Sequence, residues 1–263
     1  VLIERLSTGV KGMDELLEGG VPRGFFVAVT GEPGCGKTIF SIHFISRGIE
    51  EGDRCVYVTT EETRASIMRQ AALFGIDLET AVKRRLLVII DALSGSDDRW
   101  VLNALDVEQL LEKVIEAKKE LGYGRARLVI DSMSAFWLDR PAMARRYSYT
   151  VKKVLSKWDF TSLAVSQYAI TTAEAFGFGI EHVADGIIRF RRFVKGGVLK
   201  RYVLVEKMRQ TNHSLVMHEV SIDPHKGMII VGPVARTRED FSLPPDVTRR
   251  ILEAKKRSDS TVP

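Results

Sequence analysis

Two cysteines among 263 residues are too few for a disulfide framework or a thiolate metal centre, and their places suit small reduced residues: Cys35 lies inside a glycine-rich loop and Cys55 enters an apolar run. No apolar run approaches the length of a membrane span, and the first residues lack the basic-then-apolar pattern of a secretion signal, so a cytoplasmic location is expected. There is no internal repeat and no legible second domain. Neither sign of charge dominates: 39 Lys and Arg against 34 Asp and Glu leave a formal +5.

That small excess is unevenly spread. Basic residues gather at Arg125 and Arg127, at Arg140, Arg145 and Arg146, from Arg189 through Arg191 and Arg192 to Lys195, and in the tail from Arg249 to Arg257. Such patches suit nucleic acid, or subunit contacts around a phosphate-rich ligand, although for any one patch alone a solvated surface is the expected explanation.

What the chain does have is a complete phosphate-binding loop. Gly31, Glu32, Pro33, Gly34, Cys35, Gly36, Lys37 and Thr38 follow the apolar run Phe25 to Thr30 and precede a helix expected from Thr38 to about Glu50. Glycines let successive backbone N–H groups face the phosphates, and the helix N-terminus adds its dipole. At this spacing Lys37 would reach the β- and γ-phosphates of ATP and the Thr38 hydroxyl would hold Mg²⁺, with Ile39 opening the helix.

The order of segments reads as an α/β fold with a mostly parallel sheet covered by helices on both faces. Further apolar runs occur at Cys55 to Thr59, Leu86 to Ile90, Leu128 to Ile130 and Leu163 to Val165, none alternating apolar with polar. Helical segments separate them, among them Thr63 to Phe74 and Asp106 to Leu121. In the latter, Asp106 and Gln109 suggest a capping box, and Val107, Leu110, Leu111, Val114 and Ile115 share a face. Past Asp185 the pattern becomes antiparallel hairpins: Ile187 to Val194, Tyr202 to Val205, Leu215 to Val220 and Met228 to Val231, with turns at 195–197 and 223–227. One domain over 1–232 and a basic tail over 233–263, with a short helix near 246–256, are expected.

Three constellations extend the loop to an ATPase site. Asp131 ends an apolar strand, where a carboxylate can orient Mg²⁺ or its water; an aspartate capping a strand end would look the same. Glu61 and Glu62 follow the second strand, and a carboxylate there can polarise the attacking water, Glu62 first and Glu61 close behind. Both also suit the start of a helix. Gln167, after Ser166, ends the fifth strand, where its amide could report a γ-phosphate or simply close the strand.

Together these residues resemble the KaiC branch of the RecA and RadA superfamily of P-loop NTPases. The likeness runs from Leu6-Ser-Thr-Gly9, Gly12-Met-Asp14 and Leu16 to Gly20, through Tyr57 to Thr63 and Phe74 to Asp77, to Lys207-Met-Arg209-Gln-Thr211-Asn-His213 and the Asp223 to Gly227 turn. It covers about residues 3–231. The resemblance implies a RecA-like single-domain ATPase of the archaeal type, grouped with RadA paralogues. It implies that Glu61 and Glu62 are paired catalytic glutamates, and that Lys207, Arg209 and His213 reach the neighbour's ATP in a homo-oligomer, a hexameric ring. From the residues alone those cations have no evident local partner.

The circadian clock protein KaiC carries two such domains and RadA an added N-terminal DNA-binding domain; neither is legible here. The output therefore stays open between a hydrolysing motor acting in DNA recombination or repair, a nucleotide-gated holder of single-stranded DNA or a recombinase, and an autokinase using Thr171 or Thr172. Phe136 and Trp137, and Phe176 and Phe178, stand in the loops that would line a ring channel. Packing against Ala142 to Tyr147 is expected for the first pair; the second pair stays open between base stacking and loop mobility.

Overall fold

The structure, a computed structural model, describes residues 3–95, 98–167 and 179–234. Thr171, Thr172, Phe176, Phe178 and the tail helix expected near 246–256 lie outside the described residues. The chain up to Pro233 makes one compact unit.

Among the described residues the strands are β1 (Arg5–Leu6), β2 (Val21–Pro22), β3 (Phe26–Gly31), β4 (Arg54–Thr59), β5 (Leu87–Asp91), β6 (Ala126–Asp131), β7 (Phe160–Gln167), β8 (Gly186–Lys195), β9 (Val198–Met208), β10 (His218–Asp223) and β11 (Gly227–Pro233). The helices are α1 (Met13–Leu16), α2 (Lys37–Glu50), α3 (Arg64–Leu73), α4 (Leu78–Lys83), α5 (Val107–Leu121), α6 (Ala144–Leu155) and α7 (Ile180–Val183). β1 and β2 pair as a small ribbon, and the other strands form one sheet in the order β11-β10-β9-β8-β3-β7-β6-β4-β5. Neighbours from β8 to β5 run parallel, and β9, β10 and β11 add antiparallel.

Because side chains alternate across a strand, each parallel strand feeds two cores. Val27, Val29, Tyr57, Ile89, Val129 and Leu163 pack on one face with α2 residues such as Phe40 and Phe44. Ala28, Val56, Val58, Ile90, Leu128 and Ala164 pack on the other with Leu110 and Val114 of α5. This is why the runs read as continuously apolar. Burial of both faces also puts the carboxyl ends of β3, β4, β6 and β7 side by side, which is where the site lies.

Several boundaries differ from expectation. β6 starts at Ala126 and β7 spans Phe160 to Gln167, because Arg127, Thr161 and Ser162 are polar yet buried within strands. Arg127 is fully buried; it meets Asp53 and Glu51 and donates to the Ser7 and Phe44 carbonyls, so the Arg125–Arg127 patch is spent on internal ion pairs rather than on a partner. Leu215 and Val216 are exposed, at 81% and 46%, and the strand begins only at His218. Asp106 caps α5 through Gln109 N–H, whereas the Gln109 amide oxygen accepts from Ala104, so only half of the expected box forms. Phe136 and Trp137 are buried in the core that partly buried Tyr147 also joins, as expected for packing residues.

Candidate functional site

The loop after β3 turns sharply into α2. Gly36, which caps α2, has φ 103°, and a Cβ there would stand 2.8 Å from Met228 Cε, so only glycine fits. No side chain caps the first turn of α2 and no acid lies in it, which leaves its N–H groups and dipole to an incoming anion. Pro33 and Gly34 are exposed, Cys35 is buried, and Ile39 packs on the core beneath the loop. Burial pushes the Cys35 thiol above its usual range.

Lys37 is 6% exposed, and its Nζ donates to the carbonyls of Gly31 and Glu32, both at 2.9 Å, with Cys35 Sγ at 3.7 Å. The ammonium is thus folded over its own loop, and its donors are turned to acceptors that a triphosphate can replace. Thr38 donates its hydroxyl to Asp131 Oδ2 at 2.7 Å, and Tyr57 OH donates to the same oxygen at 3.0 Å. Burial pushes the Asp131 carboxyl up, while the Thr38 and Tyr57 hydroxyls pull it down. A hydroxyl and a carboxylate brought together at the root of the phosphate loop are the hard oxygen donors that Mg²⁺ takes in nucleotide sites. With a lysine and uncapped helix amides beside them, the residues present fit ATP and Mg²⁺.

The two glutamates diverge. Glu61 Oε1 accepts from Ser132 Oγ at 2.8 Å, and Oε2 accepts from the Gln167 amide, so Glu61 is held where β4, β6 and β7 end together. Ser134 Oγ accepts from Gln167 N–H and lies 3.1 Å from Ser132 Oγ, closing the cluster. Glu62 turns the other way, onto α3, where Ser66 Oγ (2.6 Å) and the Gln70 amide donate to Oε2. Glu61 thus bonds Ser132, the residue after Asp131, whereas Glu62 is held on α3.

The distant cations do have local partners, which corrects the expectation that they have none. Lys207 Nζ donates to Ala184 O (2.7 Å) and Glu181 O, and Arg209 pairs with Asp185 at 3.2 Å. His213 Nδ1 lies 3.0 Å from Ser214 O. Burial first, then Arg209, push the Lys207 ammonium down. In register, Met208 faces Gly186 and Gly186 faces Val27. Lys207 and Arg209 therefore stand near the amino end of β3, four residues and about 13 Å before Gly31 at ~3.3 Å per residue. They and the loop of the same chain lie at opposite ends of the sheet.

Sequence reasoning passed over Ser132, Tyr57 as a donor to Asp131, and Arg201, whose Nε donates to Gly34 O at 3.0 Å. The hydroxyl directly after the Asp131 strand was a usable signal for Ser132. Nothing local marks Arg201, because β9 reaches the loop only through the sheet.

Comparison with known proteins agrees with this geometry. The family described as "ATPase: KaiC" matches residues 6–235. A UPF0273 protein of Thermotoga maritima is 38% identical over 236 residues, covering 87% of this chain and 96% of that protein. One from Aeropyrum pernix is 36% identical, with 87% and 94% covered. The crystal structure of KaiC-like protein PH0186 from Pyrococcus horikoshii OT3 superposes with a TM-score of 0.74 at 32% identity, over 87% of this chain and 99% of that one.

Proposed function

The chain belongs to the KaiC family of ATPases, and on that premise we propose that it binds ATP with Mg²⁺ on the loop from Gly31 to Ile39 and hydrolyses it as a nucleotide-dependent homo-oligomer. The observation that carries this reading is the meeting of Thr38, Asp131, Glu61 and Gln167 at adjacent strand ends beside Lys37.

Each residue has a role. The loop amides and Lys37 bind the phosphates, and Thr38 and Asp131 hold the metal, which when bound neutralises developing phosphate charge. Glu61 orients a water and takes its proton on a carboxylate oxygen as the water oxygen bonds the γ-phosphorus and the bond to the β,γ-bridging oxygen breaks. Ser132 and Gln167 keep the Glu61 carboxylate in place. Lys207 and Arg209, remote from their own loop, serve with His213 a neighbour's ATP across a subunit interface in a hexameric ring. A cytoplasmic role in recombination or repair, as a RadA paralogue acting on single-stranded DNA or a recombinase, is the output this architecture suits best.

A second reading is favoured by the Gln167–Glu61 contact. Gln167 is the last residue before segment 168–178, so a γ-phosphate that displaces its amide could set that segment, with hydrolysis as a slow timer for a held partner. Turnover with and without single-stranded DNA separates the two: stimulation supports the motor, unchanged slow turnover with ATP-dependent binding supports the holder. A protein whose Lys37→Ala form hydrolyses ATP as fast as the wild type would refute both.

A further inference from the structure

A cavity of about 460 Å³ opens beside the middle of α2, lined by residues that the nucleotide site does not use. Small-molecule pockets span roughly 300–1,000 Å³. His43 lies in its wall and is 8% exposed. Met228 N–H donates to His43 Nε2 at 3.0 Å, so Nε2 carries the lone pair and the single proton of the neutral ring sits on Nδ1. Phe74 stacks on the ring face at 6.0 Å, and Gly227 lies so close to Nε2 and Cε1 that a Cβ there would stand 2.1 Å from Nε2. Gly227 has φ 73°, a second reason for glycine at this approach. Nδ1–H is thus the remaining polar edge of the ring, and it has no acceptor among the described residues.

Two exposed ammonium groups border the same cavity. Lys11 and Lys226 line it, and neither side chain makes a hydrogen bond or ion pair among the described residues. The acids nearby are mostly engaged: Asp14 accepts from Ser7 and Thr8, and Glu50 pairs with Arg47, which leaves Glu15. Lys11, Arg47 and Lys226 balance Asp14, Glu15 and Glu50 in charge, so what distinguishes the cavity is its unspent donors, the two ammonium groups and Nδ1–H. Phe74 and Ile76 supply an apolar wall.

The geometry points to a second ligand site in this cavity, for a small molecule that joins a phosphate or carboxylate group to an apolar portion. The oxyanion meets Lys11, Lys226 and His43 Nδ1–H, and the apolar part rests on Phe74 and Ile76. Burial holds His43 below its usual range, which keeps it a neutral donor near pH 7. The same ring bonds Met228, whose methyl lies against Gly36 of the phosphate loop, so the site adjoins the nucleotide through one residue. The inference is independent of hydrolysis.

The test is calorimetric titration of the full chain, its nucleotide loop first filled with a non-hydrolysable ATP analogue and Mg²⁺. Phenyl phosphate and benzoate are titrated separately, to distinguish the two oxyanion chemistries. Saturable binding of one of them, one per chain, is expected, weakened about fivefold or more in the Lys11→Ala, Lys226→Ala protein. Both lysines are exposed, so the variant should fold and load the analogue as the wild type does. No saturation by either probe at millimolar concentration, or equal affinity in the double variant, would overturn the site. A wild type that fails to load the analogue would count against the proposed function instead, and the wild-type to variant comparison would still decide the cavity.

Discussion

Glu61 and Glu62 are adjacent in the chain and opposite in surroundings. Glu61→Gln should retain ATP and Mg²⁺ affinity but lose turnover by about a hundredfold or more, the usual range for a lost general base. Glu62→Gln should lose much less, because its carboxylate is spent on Ser66 and Gln70. Equal losses would show that Glu62 swings into the site. At the same scale His43 carries a pH dependence. Burial lowers its folded pKa below the unfolded value of 6.5, so the unfolded chain takes up the proton more readily. Its contribution to stability is complete above about pH 6.5 and is lost as pH falls below that value toward the folded pKa. Thermal unfolding should therefore show a smaller drop between pH 7.5 and 5.5 in His43→Gln than in the wild type; parallel curves would refute the assignment. The P-loop and Asp131 could be read directly from spacing. The different contacts of Glu61 and Glu62 could not, because they depend on which way a two-residue turn points its side chains.

Among the elements, β6 shows how a buried charge can hide a strand. Arg127 interrupts an otherwise apolar run, yet its guanidinium is satisfied by Asp53, Glu51 and two carbonyls brought in from β1–α1, α2 and the α2–β4 turn. Arg127→Ala should cost about 3 kcal/mol in denaturant unfolding, the low end for a broken buried pair, because Arg125 still bonds Asp53 and Glu51. A loss of under ~1 kcal/mol would mean that the existing Arg125 pair alone satisfies Asp53. The parallel strands and α5 were legible because burial on both sheet faces, or on one helix stripe, writes itself into local sequence. β9 was legible only at Tyr202 to Val205, since its outer half carries Lys200 and Arg201 and exposed Val198. Leu215 and Val216 misled for the opposite reason: they are apolar but exposed, and apolarity alone does not place a residue in the sheet.

At the scale of the whole molecule the sheet separates two groups of residues that the proposed function joins. The loop, Asp131 and Glu61 stand at the carboxyl ends of the parallel strands, and Lys207 and Arg209 stand at the other end of β8 and β9. If Lys207 and Arg209 act on ATP, as proposed, they act on that of a neighbour. ATP with Mg²⁺ should therefore raise the mass seen by light scattering, and Lys37→Ala should abolish the rise. The most direct measurement mixes two inactive proteins, Lys37→Ala and the double variant Lys207→Ala, Arg209→Ala, with exchange followed by a labelled subunit. Cations supplied in trans contribute rate factors of about 10³ to 10⁵, so even a minority of interfaces joining an intact loop to intact cations should lift ATP turnover well above either protein alone. A mixture that exchanges subunits yet stays as inactive as its components would contradict the account.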